Sequence, residues 1–125
     1  MLAYVTIGTN NLERSIAFYD AVLGELGGKR VSTGDRMCLW SAGRGQPMVG
    51  VCTPFDEQPA TVGNGMMPAF QAASPEVVDT VHAKALELGA TDEGAPGERA
   101  GGALYIGYFR DLEGNKLAAV AFLGG

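Results

Sequence analysis

VTIGTNNLERSIAFYD, Val5 to Asp20, changes its hydrophobic period part-way along. Its first residues, with Tyr4 before them, are rich in β-branched side chains, the composition of a strand that ends at Gly8. From Leu12 onward the apolar residues Leu12, Ile16, Tyr19, Leu23 and Leu26 recur at three- and four-residue steps, which is one face of a helix. Asn10 is placed to cap that helix, and Glu13 three residues later to complete a capping box. Gly27-Gly28 ends it, since glycine accepts the left-handed backbone of a helix C-terminus without steric cost.

Three extended segments follow, at about 29–32, 36–41 and 47–53, with turns at Gly34 and at Gly43 to Gln46. Residues 56–64 are polar and carry Pro59 and Gly63, and they read as a linker. The order then repeats. Residues 66–72 predict a strand. Ser74-Pro75-Glu76 has a capping serine, a proline at the first helical position and an acid in the first turn. Val78, Val81, Ala85 and Leu88 supply the apolar face, and Gly89 stops the helix. Extended segments are expected near 90–92, 104–109 and 116–122, with Asp111 to Asn115 as the last turn. Glu25-Leu-Gly-Gly28 and Glu87-Leu-Gly-Ala90 end the two helices alike, a sign of a duplicated unit. The predicted organisation is one domain with a first module at about 1–55, a linker at about 56–64 and a second module at about 65–125.

The composition narrows the function. A formal charge of -5 argues against an electrostatic nucleic-acid binder and would suit a cationic ligand. No apolar run approaches membrane-spanning length, and the N-terminus reads as a strand, not a signal peptide. Two cysteines are too few for a disulfide framework, so a reducing cytoplasm is the expected location.

Strand, helix, three strands, twice over, together with local phrases, resembles the glyoxalase/bleomycin resistance protein/dioxygenase (vicinal oxygen chelate) superfamily. Val5 to Asp20 is similar to that family's opening strand and helix, Gly63-Asn-Gly65 to the start of its second module, and Gly94 to Arg99 and Phe109 to Lys116 to its closing segments. The resemblance implies an α+β fold: two βαβββ modules forming a curved mixed sheet around a cleft, with the helices outside. It also implies a homodimer and a cleft that commonly holds a divalent metal between two histidines and a carboxylate. Here those positions fall on Tyr4, Met67 and Ala118. Methionine is a soft ligand and alanine none, so no metal site and no cofactor are expected.

The expected ligand-facing residues are Tyr4, Trp40, Met67, Tyr105, Ala118 and Arg99. Aromatic rings and adaptable methionine would suit a flat, apolar or cationic small molecule, and Arg99, in a glycine-rich loop, can grip a carboxylate or phosphate. His82 reads as a solvated helix residue off the apolar face. Cys38 and Cys52 lie on strands paired as a hairpin and are able to face each other, as two small buried hydrophobes. The expected function is metal-independent binding of a small molecule, in resistance or sequestration. The alternative is a lactoylglutathione-lyase-like or dioxygenase-related enzyme with a non-standard site. No nucleic-acid or membrane partner is expected.

Overall fold

The computed structural model describes residues 1–124. It contains β1 (Tyr4–Gly8), α1 (Leu12–Gly24), β2 (Lys29–Thr33), β3 (Met37–Ser41), β4 (Met48–Cys52), β5 (Ala69–Gln71), α2 (Pro75–Glu87), β6 (Thr91–Arg99), β7 (Leu104–Arg110) and β8 (Lys116–Phe122), with a single 3-10 turn at Ala100–Gly102. The chain divides into two compact units, one ending at Asn64 and the other beginning at Gly65. Each holds a four-stranded mixed sheet, in the order β1-β4-β3-β2 in the first and β5-β8-β7-β6 in the second. In both, the first strand runs parallel to the last and the other pairings are antiparallel. The duplication read from the sequence is thus a duplication of topology.

The helix ends repeat it in detail. Gly28 N–H donates to the Leu23 carbonyl at 2.8 Å and Ala90 N–H to the Ala85 carbonyl at 2.9 Å, the same six-residue closure. Gly27 and Gly89 precede these donors with φ of 80° and 105°, which is why glycine stands at both places.

In the first unit α1 begins one residue later than expected. Its cap is Asn11, whose side chain accepts the Arg14 N–H, and no capping box forms. The Thr9 hydroxyl takes the Asn11 N–H, while Asn10 is drawn away by Ala60: its carboxamide oxygen accepts the Ala60 N–H at 2.7 Å, and its Nδ2 donates to the Ala60 carbonyl. The buried stripe of α1 is Ser15, Phe18, Tyr19, Val22 and Leu23, rotated from the predicted one, so Leu12, Ile16 and Leu26 are only half-buried. This stripe packs on the side of the first sheet that carries Ile7, Cys38, Trp40 and Val51. Trp40 is 1% exposed, and its indole N–H donates to Asp20 on α1 at 2.9 Å.

Asp20 also accepts from Arg30 on β2. The Arg30 hydrogen bond holds the Asp20 carboxyl below its ordinary value of 3.8, desolvation works against it, and the Trp40 N–H adds to the lowering. A depressed folded-state value means that folding favours the ionised form. That contribution is complete above the ordinary carboxylate range and disappears as pH falls through the folded value. The Asp20→Asn protein is therefore expected to melt below the parent at neutral pH and to lose less of its melting temperature on acidification. Parallel slopes for the two proteins below the ordinary carboxylate range would refute this.

The cysteines do not face each other. Cys38 is opposite Val51 and Cys52 opposite Met37, a one-residue offset that sends the two thiols to opposite sides of the sheet. Both are free, Cys38 buried and Cys52 half-buried.

In the second unit, β5 is shorter than the predicted strand and leaves Met66 and Met67 outside it. Pro68 has no N–H to offer a ladder, although its carbonyl still accepts the Ala118 N–H. Conversely, β6 runs to Arg99, through glycines that read as a loop. As an outer strand it tolerates Pro96, and two register shifts absorb the irregularity. β2 has one such shift, at Val31. The core of this unit, on the α2 side, is built from Phe70, Val78, Val81, Ala85, Phe109, Leu117, Ala119 and Ala121. His82 belongs to it, contrary to the solvated reading. It is 5% exposed, its ring meets Phe109 edge-on, and its Nε2 sits 3.1 Å from both the Asp92 carboxylate and the Tyr108 carbonyl. Both partners are acceptors, so this nitrogen carries the proton. Leu88, predicted on the apolar face, is 39% exposed.

Candidate functional site

Each sheet has one side under its helix and one side turned away, and alternation along the strands assigns every side chain to one or the other. In the first unit Tyr4, Thr6, Met37, Leu39, Met48 and Cys52 share the side away from α1. Tyr4 is 53% exposed there. Trp40 is on the helix side, and this corrects its assignment as a ligand-facing residue. An indole packed 6.0 Å from the Tyr19 ring and hydrogen-bonded to Asp20 is a core element.

In the second unit the side away from α2 carries Ile106, Ala118 and Val120, with Met67, Leu104 and Tyr108 packed against them. Met67 and Ala118 are thus in one cluster. Tyr105 is not in it. One residue out of phase with Ile106, it lies on the α2 side, where its hydroxyl donates to Asp79 at 2.7 Å. That bond, with weaker help from burial and nearby acids, raises its pKa. The aromatic residue on the away side is Tyr108, which sequence reasoning passed over. Alternation along β7 puts Tyr108 and Tyr105 on opposite sides, and the pairing of Tyr108 with Ala118 decides which side is which.

Charged side chains gather on Tyr108. The Arg99 guanidinium lies 5.9 Å from the centre of its ring and the Lys116 ammonium 5.4 Å. Arg99 is held by two backbone acceptors, the carbonyls of Glu98 at 3.1 Å and Ala95 at 3.0 Å. Arg110 beside them is bound to Glu93 and to the Gly114 carbonyl. Gly94 faces Tyr108 across the β6–β7 ladder, and a Cβ there would come within 2.9 Å of the ring, so only glycine lets the ring lie over β6.

A separate open groove of about 580 Å³ lies along the end of the first sheet, where Lys29, Arg30, Ser41, Arg44, Gln46 and Met48 line it. Of its cations, Arg30 is already committed to Asp20.

The sequence profile of the glyoxalase/bleomycin resistance protein/dioxygenase superfamily matches residues 1–119. The chain belongs to this superfamily. Among solved structures, it is similar to a glyoxalase/bleomycin resistance protein from Albidiferax ferrireducens, at 39% identity and a TM-score of 0.91, covering 98% of this chain and 99% of that one. A glyoxalase/bleomycin resistance protein/dioxygenase family enzyme from Burkholderia phytofirmans shares the fold at 20% identity and a TM-score of 0.76, covering 97% and 98%. Lactoylglutathione lyase from Agrobacterium tumefaciens does so at 20% identity and 0.70, covering 97% and 92%. No protein of curated function matches the sequence.

The divalent metal that this superfamily commonly holds needs imidazole or carboxylate donors. Tyr4 offers a phenol, Met67 a thioether and Ala118 a methyl group. Among the described residues no three His, Cys, Asp or Glu side chains converge as a ligand set. The residues at these positions do not fit such an ion. Among the described residues, no helix is long and apolar enough to cross a membrane.

Proposed function

We propose that this chain is a metal-independent small-molecule binding protein of its superfamily, acting in resistance or sequestration. The observation that supports this reading is the packing of Met67 against Ala118 and Tyr108 on the away side of the second sheet. Where a histidine and a carboxylate would make a Lewis-acid site, there is an apolar floor beside an aromatic ring. Such a surface binds through contact area and a few placed polar groups.

A ligand selective for the folded state raises the melting temperature by mass action, by about 2.7 kcal/mol of stability at a hundred times its Kd. In a thermal-shift screen, nickel, zinc and manganese are expected to leave the melting temperature unchanged, while small aromatic compounds raise it. A clear shift with one of the metals, and none with any organic compound, would overturn the reading. The protein is proposed to work as a homodimer in the cytoplasm. Sedimentation as a monomer at micromolar concentration would remove the first of these.

A further inference from the structure

We infer that the open groove at the end of the first sheet binds a small organic phosphate monoester between Lys29 and Arg44. The groove lies wholly within the first unit and uses nothing of the Met67 floor, so it stands or falls apart from the reading above.

Its charge is unlike that of the chain. The sequence has 14 acidic and 9 basic residues, yet Lys29, Arg30 and Arg44 line this one groove and no Asp or Glu does. Arg30 is answered by Asp20. Among the described residues, the Lys29 and Arg44 side chains have no acceptor and no carboxylate partner. Two positive charges in one groove are therefore left without a counter-charge, and a doubly charged anion supplies it. A phosphate monoester carries both charges on a single group. The guanidinium fork and the compact ammonium each suit phosphate oxygens. The negative charge of the whole chain acts from further off and is screened by salt, so at contact distance the local sign decides.

The register brings the two cations to one place. Lys29 pairs with Ser41 across β2 and β3, at the end of the ladder where the β3–β4 hairpin begins. The Ser41 hydroxyl donates to the Gly43 carbonyl at 2.9 Å and accepts the Gly43 N–H at 3.2 Å, which fixes the start of the turn that carries Arg44. Gln46 N–H closes the turn on the Gly43 carbonyl at 3.1 Å, and Gly45 takes the φ of 81° that this closure needs. The backbone beneath the cations is thus ordered before a ligand arrives, which lowers the entropy lost on binding.

The organic half of the ligand follows from the rest of the lining. Val31, Ala42 and the half-buried Met48 stand beside the methylene stems of Lys29 and Arg44. A volume of about 580 Å³ is far more than a bare phosphate fills and is the size of a small-molecule site. Apolar contact with these side chains adds to the affinity of an ester and adds nothing for inorganic phosphate.

Amide chemical shifts of the nitrogen-15 labelled chain, followed by NMR at pH 8, test this. Phenyl phosphate, a dianion there, is expected to shift the amides of residues 29–31 and 41–48 in a saturable way, with an affinity that falls as salt rises. Benzyl alcohol and inorganic phosphate should each bind more weakly. Lys29→Gln and Arg44→Gln should each weaken phenyl phosphate about fivefold, as expected for one exposed charge pair. Both side chains are exposed, and the spectrum of each variant reports its folding directly. Lys84→Gln, on α2, makes the same change in net charge and should leave the affinity unchanged. Shifts centred on other residues, no saturable shift, benzyl alcohol or inorganic phosphate binding as tightly as phenyl phosphate, or groove variants that lose no more than Lys84→Gln would each overturn the inference.

Discussion

Trp40→Ala is expected to cost about 3–5 kcal/mol of folding stability, the range for deleting a large buried aromatic side chain. Three losses combine. The indole is almost fully buried and fills the space between β3 and α1. Its contact with the Tyr19 ring, at 6.0 Å, goes with it. Asp20 also loses the indole N–H donor and keeps Arg30 alone. For a chain of this size the loss translates into a fall in melting temperature of roughly 10–25 °C. Urea denaturation followed by circular dichroism is the proper measurement, because the substitution removes the only tryptophan and with it the fluorescence signal. Trp40→Phe separates the terms. It keeps an aromatic ring against Tyr19 and removes the N–H, so it should cost clearly less. Were Trp40 a ligand-facing residue, the alanine substitution would weaken binding and leave stability nearly unchanged. A loss below about 1 kcal/mol would show that the core assignment is wrong.

The second large effect is expected at Asp111, in the turn between β7 and β8. Its carboxylate accepts hydrogen bonds from the backbone N–H groups of Glu113 and Asn115, at 2.9 Å each, and from the Asn115 side-chain amide at 3.0 Å. Asp111 is itself 5% exposed. Asp111→Ala removes the acceptor and leaves these donors to partial solvation, at a cost of about 2–4 kcal/mol, since hydrogen bonds to a charged group are worth more than neutral ones. Asp111→Asn keeps one oxygen for the two backbone donors and should lose about half as much. Equal stability of the two variants would mean that the carboxylate is not what orders the turn.

Much of the architecture was legible because period and punctuation agree. The helix that begins after Ser74-Pro75 and the strand from Lys116 to Phe122 are found where the sequence places them. Disagreements arise where a residue has two uses. Asn10 is a good cap by type, but its carboxamide serves Ala60, and the cap passes to Asn11. His82 looks solvated by helical phase, yet Asp92 and the Tyr108 carbonyl come from strands whose approach no local pattern reveals. Gly94 to Arg99 reads as a loop because glycine and proline usually mark one, and an outer strand is the exception that admits them. In the candidate site the same limit applies. Met67 and Ala118 are candidates from phrase matching, and the structure brings them into one cluster. Tyr105 and Tyr108 are separated only by strand phase, and β7 had to be placed against α2 before one could be preferred.

The register shifts in β2 and β6 matter beyond the fold itself. These are the outermost antiparallel strands of their sheets, and a straight exposed strand there would invite a neighbouring chain to extend the ladder. β2 is exposed along its whole length, but the extra residue Val31 interrupts its spacing, and Lys29 and Arg30 stand beside the break. β6 carries two breaks and a proline. Neither is a good template for strand addition. At these two edges, crowded copies of the chain are thereby protected from runaway edge-to-edge growth.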